Sequence, residues 1–204
     1  MTPVAILRKP LAFFMRLKLY AALMVWYIAI IGNDILVVSG DMSSFQQNDY
    51  TVEFHHVHLE FFDRKFVRTF DLKNVKPNRT HKAFAMTFNL LTDIKDDGRY
   101  KINLKGFRLL GNGLDHLICQ FNIDVCQALR KNTFGLMQMI RAGNMTTCPI
   151  TKGYYYANNF VVDEKKMPPY MPEGRYKVMI AILDGNTPMT RTSLFMDIIY
   201  KIKN

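Results

Sequence analysis

The run GRYKVMIAI, residues 174–182, decides the fold. Tyr176, Val178, Ile180 and Ile182 fall on one side of an extended chain, and Arg175 and Lys177 fall on the other. Successive side chains of a strand point to opposite faces, whereas a helix would space its apolar positions three and four residues apart. The alternation continues outward from this run. Thr192, Leu194, Met196, Ile198, Tyr200 and Ile202 share a face in the last strand. Upstream, Phe84, Met86, Phe88 and Leu90 alternate with small or polar residues, and Tyr100, Ile102 and Leu104 alternate with Lys101, Asn103 and Lys105. Near the start, Val57, Leu59 and Phe61 lie opposite His56, His58 and Glu60. Residues 66–74, 117–123 and 154–162 read as further strands.

Turn signals separate the strands at Asp96-Asp97-Gly98 and Gly111-Asn112-Gly113. Pro168, Pro169 and Pro172 mark an extended loop that cannot be a central strand. One helix is predicted, from Asp124, which can cap its start, to Ala142, with Gly143 at its carboxyl end. Its apolar stripe is Val125, Leu129, Leu136, Met137 and Ile140, and Asn132 to Gly135 can break it in two. Seven or eight short strands with one inserted helix near 124–142 predict a mainly β fold, an immunoglobulin-like two-sheet sandwich.

The composition is globular, with 49% hydrophobic and 22% charged residues, and the aromatic share of 13% favours strands. The 204 residues suffice for one domain and a targeting segment. Residues 19–32, LYAALMVWYIAIIG, carry no charge and follow Arg8, Lys9, Arg16 and Lys18. A positive region and then a short apolar run is the pattern of a secretory signal, and fourteen residues are short for spanning a bilayer. We therefore expect a signal peptide over residues 1–40, cut between about 32 and 40, and a single domain over 41–204 that is secreted. An uncleaved anchor is the alternative, and Met15 is a second possible start. Two sequons agree with secretion, at Asn78-Arg79-Thr80 and Asn144-Met145-Thr146. Without residues 1–40 the net charge falls from +10 to +7, and no basic run clusters as a nucleic-acid footprint would. No nucleic-acid partner is expected.

The carboxyl-terminal half carries an ordered series of motifs. They are Phe121-Asn-Ile-Asp124-Val-Cys126, then Cys148-Pro149, Gly153-Tyr154-Tyr155-Tyr156 and Asn159, and Pro168-Pro169-Tyr-Met-Pro172-Glu-Gly174-Arg-Tyr176. Over about residues 66–202 the chain resembles insect secreted proteins of the CheB type and their relatives. That family is similar to the ganglioside-activator and myeloid-differentiation lipid-recognition (ML) proteins. The resemblance implies a two-sheet cup with an apolar cavity that binds lipid or serves contact chemosensation. It also implies a disulfide between Cys126 and Cys148, closing a loop worth roughly 3 kcal/mol. Cys119 is an extra cysteine and an alternative partner, and the segment before residue 66 matches no family motif.

If the sheets form a cup, their inward faces line it: Phe84, Met86, Phe88 and Leu90; Tyr100, Ile102 and Leu104; Tyr176, Val178, Ile180 and Ile182. Leu136, Met137 and Ile140 of the helix would form a lid or wall. His56, His58 and Glu60 share a strand face and could hold zinc, but a solvated polar face is the reading adopted, with no metal and no cofactor. No Gly-x-Ser-x-Gly, His-Glu-x-x-His or glycine-rich phosphate loop is present, so no enzyme is expected. The sequence reading is a secreted carrier of an apolar ligand such as a lipid or pheromone. The alternative is an interaction module that contacts a membrane receptor or channel without a ligand.

Overall fold

A computed structural model describes residues 45–76, 82–111 and 115–200. The signal segment with its cut sites, the sequon at Asn78, and Ile202 lie outside the described residues. Among the described residues there are eight strands: β1 (Tyr50–Phe62), β2 (Val67–Val75), β3 (Ala83–Leu90), β4 (Tyr100–Leu109), β5 (Asp115–Asp124), β6 (Gly153–Phe160), β7 (Gly174–Asp184) and β8 (Thr187–Tyr200). They form two antiparallel sheets, ordered β1-β8-β7-β4-β5 and β2-β3-β6. The period-two faces meet in register. Ile182 sits between Ile102 and Thr190, Ile180 between Leu104 and Thr192, and Tyr176 opposite Met196. In the smaller sheet Phe88 lies between Phe70 and Tyr155, its ring stacked on both at 6.0 and 5.3 Å.

Strand β1 departs from simple alternation. Bulges between Phe54 and His56 and between Leu59 and Phe61 each add a residue, which reverses the in-out parity beyond it. Phe61, expected to face inward with Val57 and Leu59, is 42% exposed, and Phe62 takes the inward place.

The helical segment between β5 and β6 begins as expected. The Asp124 carboxylate accepts from the Gln127 backbone N–H at 2.8 Å and caps α1 (Val125–Arg130). The chain then breaks where Asn132, Phe134 and Gly135 adopt φ of 52°, 53° and 76°. A 3-10 turn over Thr133–Gly135 and the short α2 (Met137–Arg141) follow, so one insertion holds two helices. Gly143 is required by proximity: a Cβ there would lie 1.6 Å from the Tyr156 carbonyl oxygen of β6.

The proline loop before β7 is tied down by three tyrosines. Tyr50 donates to the Pro168 carbonyl at 2.6 Å, Tyr176 to Pro172 at 2.7 Å, and Tyr200 to Met171 at 3.1 Å. Burial pushes the ionisation of Tyr50 and Tyr176 up, which keeps both phenols as donors. Gly174, at φ 142° with the Arg108 guanidinium 3.2 Å from where a Cβ would sit, lets the chain turn from this loop into β7. Among the described residues no helix is long and apolar enough to cross a membrane.

Candidate functional site

The buried apolar residues do not form one continuous core. One cluster gathers Val67, Leu90, Ile102, Phe121 and Leu129, and another gathers Tyr50, Phe54, Phe84, Tyr176 and Met196. Leu104, Ile118 and Ile180 pack against both. Between the sheets lies a cavity of about 320 Å³. Leu104, Ile180 and Ile182 wall it from the larger sheet, and Phe70, Leu72, Met86 and Phe88 from the smaller. The insertion contributes Leu129, Phe134, Leu136 and Met139, and the proline loop contributes Met167 and Met171. Leu104, Ile180, Ile182, Met86 and Phe88 stay only half-buried on these inward faces, because what they face is space. A second depression, about 450 Å³, lies among Leu109–Gly111, Glu173–Arg175 and Asp197–Ile199. Its lining is charged as well as apolar, with Arg175 3.6 Å from Asp197, and it offers no apolar enclosure.

Of the residues expected around a cup, Met86, Phe88, Leu90, Ile102, Leu104, Leu136, Tyr176, Val178, Ile180 and Ile182 come together around this cavity. Phe84, Tyr100, Met137 and Ile140 do not line it. Phe84 is 3% exposed and packed between the rings of Phe54 and Phe160, at 5.7 and 5.6 Å. Tyr100 is buried in the other cluster. The left-handed residues at 132 and 134 reset the helical phase, so Phe134 and Met139 reach the cavity where Met137 and Ile140 were expected. Phe70 and Leu72 of β2, Phe121 of β5, and Thr190, Thr192, Leu194 and Met196 of β8 also line it. The alternation of β8 was visible in the sequence, but nothing there shows that its face meets the smaller sheet.

Cys126, fully buried in the first turn of α1, is bonded to Cys148, with Cα atoms 5.4 Å apart. Cys119 is free, buried, and part of the cavity wall, and burial pushes its thiol pKa up. Its sulfur lies against Gly106, where a Cβ would come within 2.6 Å. On the outer face, His56 stacks on Phe195 at 4.3 Å, and Glu60 accepts from Ser193 and lies 3.6 Å from Lys177. Among the described residues the one group of three donors within ligating reach is Asp96, Asp124 and Cys126, whose sulfur is already in the disulfide.

Residues 98–178 match the family model described as "Protein of unknown function (DUF1091)". That stretch runs from the turn before β4 through the helical insertion to the middle of β7. Among solved structures, the chain is similar to a Niemann-Pick type C2 protein from Japanese carpenter ant. The two are 13% identical over 74% of this chain and 94% of that one, with a TM-score of 0.28. Neither description names a CheB-type protein. No curated protein is significantly similar in sequence.

Proposed function

We propose that the protein is a secreted carrier that takes an apolar molecule into the cavity between its sheets and changes no bond in it. The observation that carries this reading is the cavity itself, about 320 Å³ and walled almost wholly by apolar side chains. Ligand pockets begin at roughly 300 Å³. At about 24 cal/mol per Å³, an unfilled void of 320 Å³ would cost on the order of 8 kcal/mol, comparable to the whole stability of a domain. A ligand burying methylenes there gains about 0.8 kcal/mol for each. Met86, Met139, Met167 and Met171 in the wall suit a site that adapts to its occupant. The amino-terminal charge pattern supports secretion. The exposed Asn144 amide uses one hydrogen on the Tyr154 carbonyl, leaving the other position for a glycan.

Native mass spectrometry of protein from a eukaryotic secretion host tests the reading. We expect a co-purified apolar molecule, or uptake of the probe N-phenyl-1-naphthylamine by delipidated protein. Protein that carries no such mass and takes up no probe would exclude a carrier. The interaction-module reading rests on a different observation, the exposed rings of Tyr154 and Tyr156 on β6 and of Tyr170 in the proline loop. It would then stand.

A further inference from the structure

Among the described residues the cavity wall is apolar but for three hydroxyls and the Cys119 thiol, and Thr190 and Thr192 of β8 lie two residues apart in it. The third of these hydroxyls, that of Tyr176, is bonded to the Pro172 carbonyl. Thr190 lies opposite Ile182 on β7 and Phe62 on β1, and Thr192 lies opposite Ile180 and Leu59. Both residues are more than nine-tenths buried, at 5% and 8% exposure. The Thr192 hydroxyl donates to the Ile180 carbonyl at 3.4 Å, which leaves its oxygen free to accept. Among the described residues no hydrogen bond engages the Thr190 hydroxyl, and its oxygen is not one of their fully enclosed unpartnered polar atoms, so it keeps some accessible surface.

A hydroxyl set in an otherwise apolar wall has no protein group there to satisfy it. Valine has the same branching and strand preference and would complete the apolar wall, so packing alone does not account for threonine at position 190. An interaction with whatever fills the cavity does. Among the described residues no Lys, Arg, His, Asp or Glu lines the cavity. A buried charge on the ligand would therefore go uncompensated.

We infer that Thr190 is the polar anchor of the cavity, and that the ligand is an apolar chain bearing one uncharged hydrogen-bonding group, a hydroxyl or a carbonyl. Thr190 donates to or accepts from that group, and Thr192 supplies a second acceptor beside it. The inference rests on the carrier reading above.

The test is displacement of N-phenyl-1-naphthylamine by 1-dodecanol and by 1-dodecene, chains of equal length with and without a hydroxyl. Wild type, Thr190→Val and Thr190→Ser are compared, each with a melt of the ligand-free protein. Thr190→Val should weaken 1-dodecanol about tenfold and leave 1-dodecene unchanged. Thr190→Ser, which keeps the hydroxyl, should retain the alcohol. Ligand-free Thr190→Val should melt at or above wild type, since a methyl replaces an unpartnered hydroxyl. Equal change for both chains, or no change for the alcohol, overturns the anchor and leaves the carrier reading standing. A marked fall in the Thr190→Val melting temperature also overturns it, because the hydroxyl would then serve the fold. If wild type takes up neither chain nor probe, the anchor falls together with the carrier reading.

Discussion

Cys119 and Cys126 are seven residues apart and both buried, yet they do different work. Cys126 closes a 22-residue separation to Cys148 and fixes the start of the insertion to the approach to β6. Loss of that constraint should cost roughly 3 kcal/mol in the chain-entropy model. Cys126→Ser is therefore expected to lower stability and secretion far more than Cys119→Ser, as chemical denaturation and secreted yield would show. Equal damage from the two would break the assignment. A second residue-scale prediction concerns Glu60. The Ser193 hydroxyl donates to its carboxylate, and Lys177 lies nearby, so its pKa is held below the ordinary value. A carboxyl whose folded pKa is lowered contributes stability above its unfolded pKa and loses it as pH falls through the folded value. Ser193→Ala removes the largest cause of the shift. Its melting temperature should lie below wild type at neutral pH, and the gap should narrow below about pH 4. A gap constant with pH would assign the loss to the packing of the buried Ser193 side chain.

At the scale of elements, strands were legible where residues alternate without interruption. The faces of β4, β7 and β8 read directly from Tyr100, Tyr176 and their successors at every second position. What the sequence did not show is where one residue is added. The bulge at Leu59/Phe61 puts Phe61 in solvent and Phe62 in the core, and no side chain in that stretch announces it. The insertion failed in the same way. Asn132 and Gly135 marked a break, but the phase beyond it depended on Phe134 adopting a left-handed conformation that its type disfavours. Gly143 looked like a helix end, and its structural reason is the approach of the Tyr156 carbonyl. Gly143→Ala should cost about 1–3 kcal/mol, because the backbone of β6 must shift to admit the methyl. Urea unfolding within a few tenths of a kilocalorie of wild type would show that the two segments do not meet this closely.

At the scale of the molecule, the question is whether inward-facing residues serve packing or enclosure, and that depends on how far apart two sheets stand. Periodicity placed Phe84 and Ile180 in the same class. The structure separates them: Phe84 is enclosed by the Phe54 and Phe160 rings, whereas Ile180 remains half-buried in the cavity wall. Truncating a packed phenylalanine commonly costs 3–5 kcal/mol, because a new void opens where atoms were in contact. Truncating a residue that already borders a void forfeits fewer contacts. Phe84→Ala should therefore lower the melting temperature strongly while leaving the probe affinity of the folded fraction near wild type. Ile180→Ala should do the reverse, with a small fall in melting temperature and a several-fold loss of N-phenyl-1-naphthylamine affinity. Phe88 is a less discriminating choice, since it both lines the cavity and stacks on Phe70 and Tyr155. If Ile180→Ala unfolds as readily as Phe84→Ala, the space between the sheets closes in solution. An outward face, with the Tyr154 and Tyr156 rings of β6, would then be the place to look for function.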